Sequence, residues 1–321
     1  MTPASHHTLY NTLSLIKLFG ACLVMTTHLG QQYWGISFYS FGTGCFFVVS
    51  GFYALNWRRE HGIRYFISRL IRLSPAFFVA VMLYAVSQDL PLNTLPDVLF
   101  HHATFFLAAS NQEQVFSLNP AFWSLPVFVT FFLLVSVLPG TYRPKWEHLC
   151  LLFTVSLLAY CAQLDKWRDG YLLLWAAPFY LHAFWLGGLC HRLPKCDRTH
   201  ANVTVITLVC IIVLSGASYK ALNSWIPGII CAMWQFYMVP LYALLLWALL
   251  HSSITQKPSA VMTQLAELSF GLYLFHNLPG HWLPNTWPPA ILTLVTLVMT
   301  LLLAAASRRW VERPFIRWAQ R

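Results

Sequence analysis

An ionisable side chain inside an apolar run is costly to keep in lipid, so each one met along this chain is a candidate for chemistry. The first apolar run holds two, Lys17 and His28. Eleven helical residues turn about 20° past three full revolutions, so the two share a face and stand about 16 Å apart along it. Imidazole titrates near neutral pH and can take a proton from a hydroxyl, which makes His28 a candidate general base. The ammonium of Lys17 can steady a developing negative charge. The same pair is also compatible with a snorkelling lysine and a packed interfacial histidine.

Three further groupings carry chemistry by type and spacing. Arg69 and Arg72 stand at i and i+3 ahead of Pro75, so both guanidinium groups leave one helical face. Such a fork can grip a phosphorylated ligand with paired hydrogen bonds, or simply anchor the helix among lipid phosphates. Ser269, Tyr273 and His276 fall at i, i+4 and i+7. A stripe of hydroxyl, phenol and imidazole belongs in an interior, where it either binds a polar ligand or satisfies neighbouring helices. Ser50 and Gly51, inside Cys45–Phe52, allow close approach of another helix.

The elements that position these residues follow from composition. Of 321 residues, 58% are hydrophobic and 9% charged, with mean hydropathy +0.58. A soluble domain carries about 25% charged residues, so most of this surface must face lipid. The apolar runs are continuous, not alternating, which predicts helices over a β-barrel. Ten spans are expected, near 10–30, 36–57, 73–89, 122–139, 149–163, 171–190, 201–217, 228–250, 265–283 and 290–306. The shorter stretch 95–110, broken by Asp97 and His101–His102, is expected to be re-entrant or interfacial. The first ten residues lack the basic start and cleavage site of a signal peptide, so the first span should be retained. No internal repeat is visible, and a single membrane domain over 1–321 is expected.

The net charge of +10 is a topological signal. One set of alternate loops carries sixteen Lys and Arg residues and the opposite set three, Lys166, Arg168 and Lys220. The positive-inside rule then places both termini in the cytoplasm and removes the case for nucleic-acid binding. Seven of the eight cysteines lie in apolar runs, none has a C-x-x-C partner, and no metal site is expected.

Read in order, these pieces resemble the acyltransferase-3 family of membrane acyltransferases. The resemblance rests on Lys17 with His28, Phe46–Phe52, Arg69/Arg72/Pro75, Trp123-Ser124-Leu125, Ser269/Tyr273/His276 and Glu312-Arg313-Pro314. It covers roughly 10–317. Two positions depart from the family pattern. Lys17 stands where the family usually has Arg, keeping the charge but losing the planar fork. Pro126-Val-Phe128 follows Trp123-Ser124-Leu125 where an acidic residue is common, so any role for that carboxylate is absent or moved.

The resemblance implies a bacterial inner-membrane enzyme. It would take an acyl group, usually acetyl, from cytoplasmic acyl-CoA and place it on a hydroxyl, or an amine, of an envelope glycan or its lipid-linked precursor. His28 and Lys17 are then the catalytic candidates, with His28 acting as a base or accepting the acyl group transiently. Arg69, Arg72 and Lys17 would hold the acyl-CoA co-substrate, and Trp123, Ser269, Tyr273 and His276 would line the acceptor site. A proton-coupled secondary transporter is the alternative, since buried Lys and His also suit a proton path.

Overall fold

The computed structural model describes residues 3–56, 61–91, 93–103, 118–163, 176–225, 229–255 and 260–319. Among these residues the regular structure is entirely helical. The α-helices are α1 (Pro3–Trp34), α2 (Thr43–Asn56), α3 (Gly62–Ser87), α4 (Leu95–Ala103), α5 (Ser124–Val137), α6 (Trp146–Gln163) and α7 (Ala176–Leu189). They continue with α8 (Arg198–Trp225), α9 (Ile229–His251), α10 (Ala260–Glu267), α11 (Ser269–Phe275), α12 (Pro289–Ser307) and α13 (Arg313–Ala319). Among the described residues, five stretches are long and apolar enough to cross a bilayer: Leu9–Trp34, Gly62–Ser87, Pro120–Val137, Arg198–Leu222 and Pro289–Trp318. Leu214 on α8 and Leu302 on α12 are each 65% exposed, as suits side chains whose solvent is lipid.

The chain forms two compact units. The first comprises Met1–Trp57, Pro144–Trp146 and Ala183–Phe270. In it α1 packs on α2, α9 and α10, while α9 also packs on α2 and α8. Small residues set the closest crossing. A Cβ at Gly51 of α2 would stand 1.8 Å from the Phe184 carbonyl oxygen, and one at Gly187 of α7 would stand 2.0 Å from that of Val48. The two backbones touch, as Ser50-Gly51 suggests, and no side chain fits at either glycine.

The second unit comprises Arg58–Arg143, Glu147–His182 and Gly271–Arg321. Here α3 is the spine, packed on α4, α5, α13 and the 3-10 turn Leu278–His281. Its buried rings meet others edge-on: Tyr65 on Phe132, and Phe77 and Tyr84 on Phe122.

Several boundaries differ from the sequence expectation for physical reasons. The second helix starts at Thr43, since Gly35 (φ 62°) and Phe41 (φ 51°) take left-handed backbone angles and keep 35–42 out of the helix. The third starts at Gly62, eleven residues before the expected 73. The arginines there are interleaved with helix-competent Ile63, Phe66, Ile67 and Leu70, and Pro75 sits inside the helix, costing one bond to the Ile71 carbonyl. The expected span 265–283 is broken into α10, α11 and the turn Leu278–His281. Pro279 has no N–H to donate, so α11 cannot run through it. The stretch 95–110, expected to be re-entrant or interfacial, is helical over Leu95–Ala103, and its remainder lies outside the described residues.

Candidate functional site

The helix α1 places Lys17 and His28 as their spacing requires, on one face of an element whose neighbouring positions Ile16, Leu18 and Leu29 are buried. Both side chains are half-buried. They stand eleven positions apart on unbroken helix, so the spacing of their Cα atoms is fixed by the backbone. After Trp34 the chain turns back: the Ile36 N–H donates to the Gly30 carbonyl at 3.0 Å. The segment that follows is thereby held at the end of α1 that carries His28.

In the second unit Arg69 and Arg72 project from the part of α3 ahead of Pro75. The Arg69 guanidinium lies 5.0 Å from the centre of the Tyr65 ring one turn earlier, a cation–π contact that fixes its direction. Arg69 is half-buried and Arg72 exposed. A π-helical turn, Arg308–Glu312, packs against α3 and carries Glu312 inward, 7% exposed. Ser307 Oγ donates to its carboxylate at 3.4 Å and Arg308 Nη1 lies 3.5 Å away. The charge of Arg72 also acts on Glu312. The C-terminal Glu-Arg-Pro segment thus meets the arginine pair, which no local spacing announces.

Tyr273 and His276 join one buried network with Ser124. Ser124 Oγ and Tyr273 Oη share a hydrogen bond of 2.7 Å, and the Tyr273 hydroxyl also donates to the Ala121 carbonyl. His276, fully buried, follows the end of α11 and donates from Nδ1–H to the Tyr273 carbonyl at 2.9 Å. A carbonyl only accepts, so this bond fixes the tautomer and leaves Nε2 as the basic nitrogen. Trp123 is half-buried with its ring 5.0 Å from that of Tyr180. Ser269 is buried at the start of α11 and belongs to the first unit. The even i, i+4, i+7 stripe is therefore not one helical face: α11 ends at Phe275 and His276 sits in the following turn.

Three members of the network escaped sequence reasoning. Asn119 donates from Nδ2 to the Tyr84 hydroxyl (2.9 Å) and to the Leu274 carbonyl (3.0 Å). Its Oδ1 accepts from the Ala121 N–H and from Asn277 Nδ2, both at 3.0 Å. All four hydrogen-bonding positions of this fully buried amide are filled. Asn119-Pro120 is a helix-start signal, with Asn119 capping the 3-10 turn Pro120–Trp123. That signal marks the cap, not the partners. Tyr84, inside an apolar run, offers no signal at all.

Beside the network, α4 presents His102 edge-on to Phe122 with centroids 6.1 Å apart. Its Nδ1–H donates to the Val98 carbonyl at 2.8 Å, and burial pushes the imidazole below the ordinary histidine value. No cluster of three or more His, Cys, Asp or Glu capable of holding a metal occurs among the described residues.

A family model described as an acyltransferase domain matches residues 10–309. Nodulation protein 10 of Rhizobium leguminosarum bv. viciae is 26% identical over 378 residues, covering 99% of this chain and 96% of the relative. No solved structure gives a significant match.

Proposed function

The chain belongs to the acyltransferase-3 family, and from that premise we propose that it is a membrane O-acyltransferase of the bacterial inner membrane. The donor is cytoplasmic acyl-CoA, in the first instance acetyl-CoA, and the acceptor a hydroxyl of an envelope glycan or its lipid-linked precursor. The whole chain acts as one membrane domain with ten spans and cytoplasmic termini, the topology that the sixteen-to-three loop asymmetry supports.

The observation that carries the reading is the placement of Lys17 and His28, half-buried on one face of an apolar helix. In this mechanism His28 takes the proton of the acceptor hydroxyl as its oxygen attacks the thioester carbonyl. The C–O bond forms, the C–S bond breaks, and CoA leaves as the thiolate, which is protonated in turn. Lys17, about 16 Å along α1 from His28, does not reach the same carbonyl, and its ammonium holds an anionic part of the donor instead. Arg69, directed by Tyr65, and Arg72, beside Glu312, hold the phosphates of the donor. Trp123, Ser269, Tyr273 and His276 serve the acceptor side, the last two as a wall held in shape by Asn119.

The test is purified protein in nanodiscs with acetyl-CoA and envelope glycan from the same bacterium. Release of free CoA together with a one-acetyl mass gain on the glycan is expected. Uptake of a solute into vesicles with no CoA release would replace the enzyme by a transporter.

A further inference from the structure

The first unit contains a run of aromatic rings that the acyl-transfer reading does not use. Tyr39 lies 4.9 Å from Tyr219, Tyr219 lies 5.2 Å from Trp234, and Trp234 lies 5.6 Å from Tyr237, all centroid to centroid. Tyr39 comes from the loop after α1, Tyr219 from the last turns of α8, and Trp234 and Tyr237 from the first turns of α9. We propose that Tyr39, Tyr219 and Tyr237, floored by Trp234, form a subsite for the sugar rings of the acceptor at the His28 end of α1. This rests on the acyl-transfer reading above and names where its acceptor is held.

An interfacial belt is the ordinary explanation for Trp and Tyr at a helix end, and it requires the polar tips to face headgroups. The present arrangement differs at its centre. Trp234 is 5% exposed, and its indole N–H donates inward to the Tyr39 carbonyl at 2.9 Å. It anchors the loop, not the membrane. The Tyr39 N–H donates to the Gly216 carbonyl at 3.1 Å, and the Tyr242 hydroxyl donates to the carbonyl of Ser40. Tyr39 is thus pinned to α8 on one side and α9 on the other.

A ring fixed in this way loses little entropy when a ligand settles on it, which is how rigid tyrosines give binding area cheaply. Half-buried Tyr39 and Tyr219 and the 47% exposed Tyr237 offer the accessible ring surface, and Tyr237 shares a hydrogen bond of 3.2 Å with Ser215. A pyranose matches such a surface: its C–H face stacks on a ring while its rim of hydroxyls meets phenol oxygens.

The position matters as much as the chemistry. The loop carrying Tyr39 is folded back onto α1 by the bond from Ile36 to Gly30, two residues after His28. Sugars stacked there lie at the end of α1 that carries His28. A ligand held at the opposite end of α1 would meet Lys17 first.

The experiment measures transfer from acetyl-CoA to two acceptor fractions, water-soluble envelope glycan and solvent-extracted lipid-linked sugar. Tyr39→Leu and Tyr219→Leu should each raise the acceptor KM about five- to tenfold with the acetyl-CoA KM unmoved. Tyr39→Phe and Tyr219→Phe keep the ring and lose only the phenol oxygen, so each should raise the acceptor KM less, about two- to threefold. The fraction whose KM shifts identifies the form of the acceptor. Iodination of Tyr39 and Tyr219, mapped by mass spectrometry with and without glycan, reads binding directly. Protection without transfer keeps the subsite and removes the enzyme. Transfer with unshifted KM in the Leu variants and no protection overturns the subsite and leaves a membrane belt. Neither transfer nor protection overturns both.

Discussion

Two regions hold the polar residues that matter, and they hold them in opposite ways. Around Asn119 in the second unit, amide, hydroxyl and imidazole groups are buried and spend their hydrogen bonds on one another and on backbone carbonyls. On α1 in the first unit, Lys17 and His28 are half-buried along one continuous helix. A saturated buried network specifies shape, because any lost member leaves others unsatisfied. A half-exposed ionisable pair specifies reactivity, because its protons can exchange. The lesson is that the tyrosine and histidine of the penultimate segment belong to a frame, while the pair eleven positions apart on α1 is where the proposed chemistry is assigned.

The contrast breaks most sharply at His28. His28→Ala should lower acyl transfer about a thousandfold, the scale of losing a positioned base, while the unfolding midpoint in detergent stays that of the parent. Near-parental turnover in a properly inserted variant would move the chemistry elsewhere, His276 being next in line. Asn119→Ala should do the reverse. It leaves the Tyr84 hydroxyl without its donor, the Leu274 carbonyl with the Tyr84 hydroxyl alone, and Asn277 Nδ2 and the Ala121 N–H without their acceptor, and should cost about 3 kcal/mol of stability. Activity per folded molecule should fall far less than in His28→Ala. If Asn119→Ala melts like the parent, the network is not a frame.

What the sequence made legible divides along the same line. Long apolar runs gave α1, α3, α8 and α12 as spans, and 3.6-residue geometry gave the shared faces of Lys17 with His28 and of Arg69 with Arg72. The frame was hidden because its bonds are long-range: Asn119 reaches Leu274 across 155 residues and Tyr84 reaches Leu274 across 190. No periodicity encodes such a pairing. The break within 265–283 was readable in principle from Pro279, but the apolar run around it is indistinguishable from a continuous helix. Buried Glu312 stands in the Glu-Arg-Pro motif, yet its place beside Arg72 depends on the π turn, which has no sequence signature.

The arginine pair sharpens the comparison further. Arg72→Gln removes one fork of the donor grip and should raise the acetyl-CoA KM about tenfold with the acceptor KM unchanged. Arg69→Lys, which keeps charge but loses planarity over Tyr65, should raise it less. Equal effects on both substrates would assign the pair to folding, with the frame. Within the frame itself, Tyr273→Phe deletes the hydroxyl between Ser124 and the Ala121 carbonyl and should cost about 1 kcal/mol. A larger loss of acceptor affinity than of stability would show that the hydroxyl also reaches substrate.

The smallest effect separates frame from site by pH. His102 is packed against Phe122 and donates Nδ1–H to Val98, and its burial lowers the imidazole below the unfolded value near 6.5. Between the two values the unfolded chain binds the proton and the folded chain does not. The stability this histidine contributes is therefore complete above about pH 6.5 and is lost as the pH falls toward the depressed folded value. Phe122 also carries Phe77 and Tyr84, so this loosening reaches the frame before it reaches α1. The unfolding midpoint should drop on moving from pH 7 into the acid range, and His102→Asn should flatten that slope. A parental slope in the variant would place the titrating group elsewhere, and an activity loss preceding any shift in the midpoint would point to His28 instead.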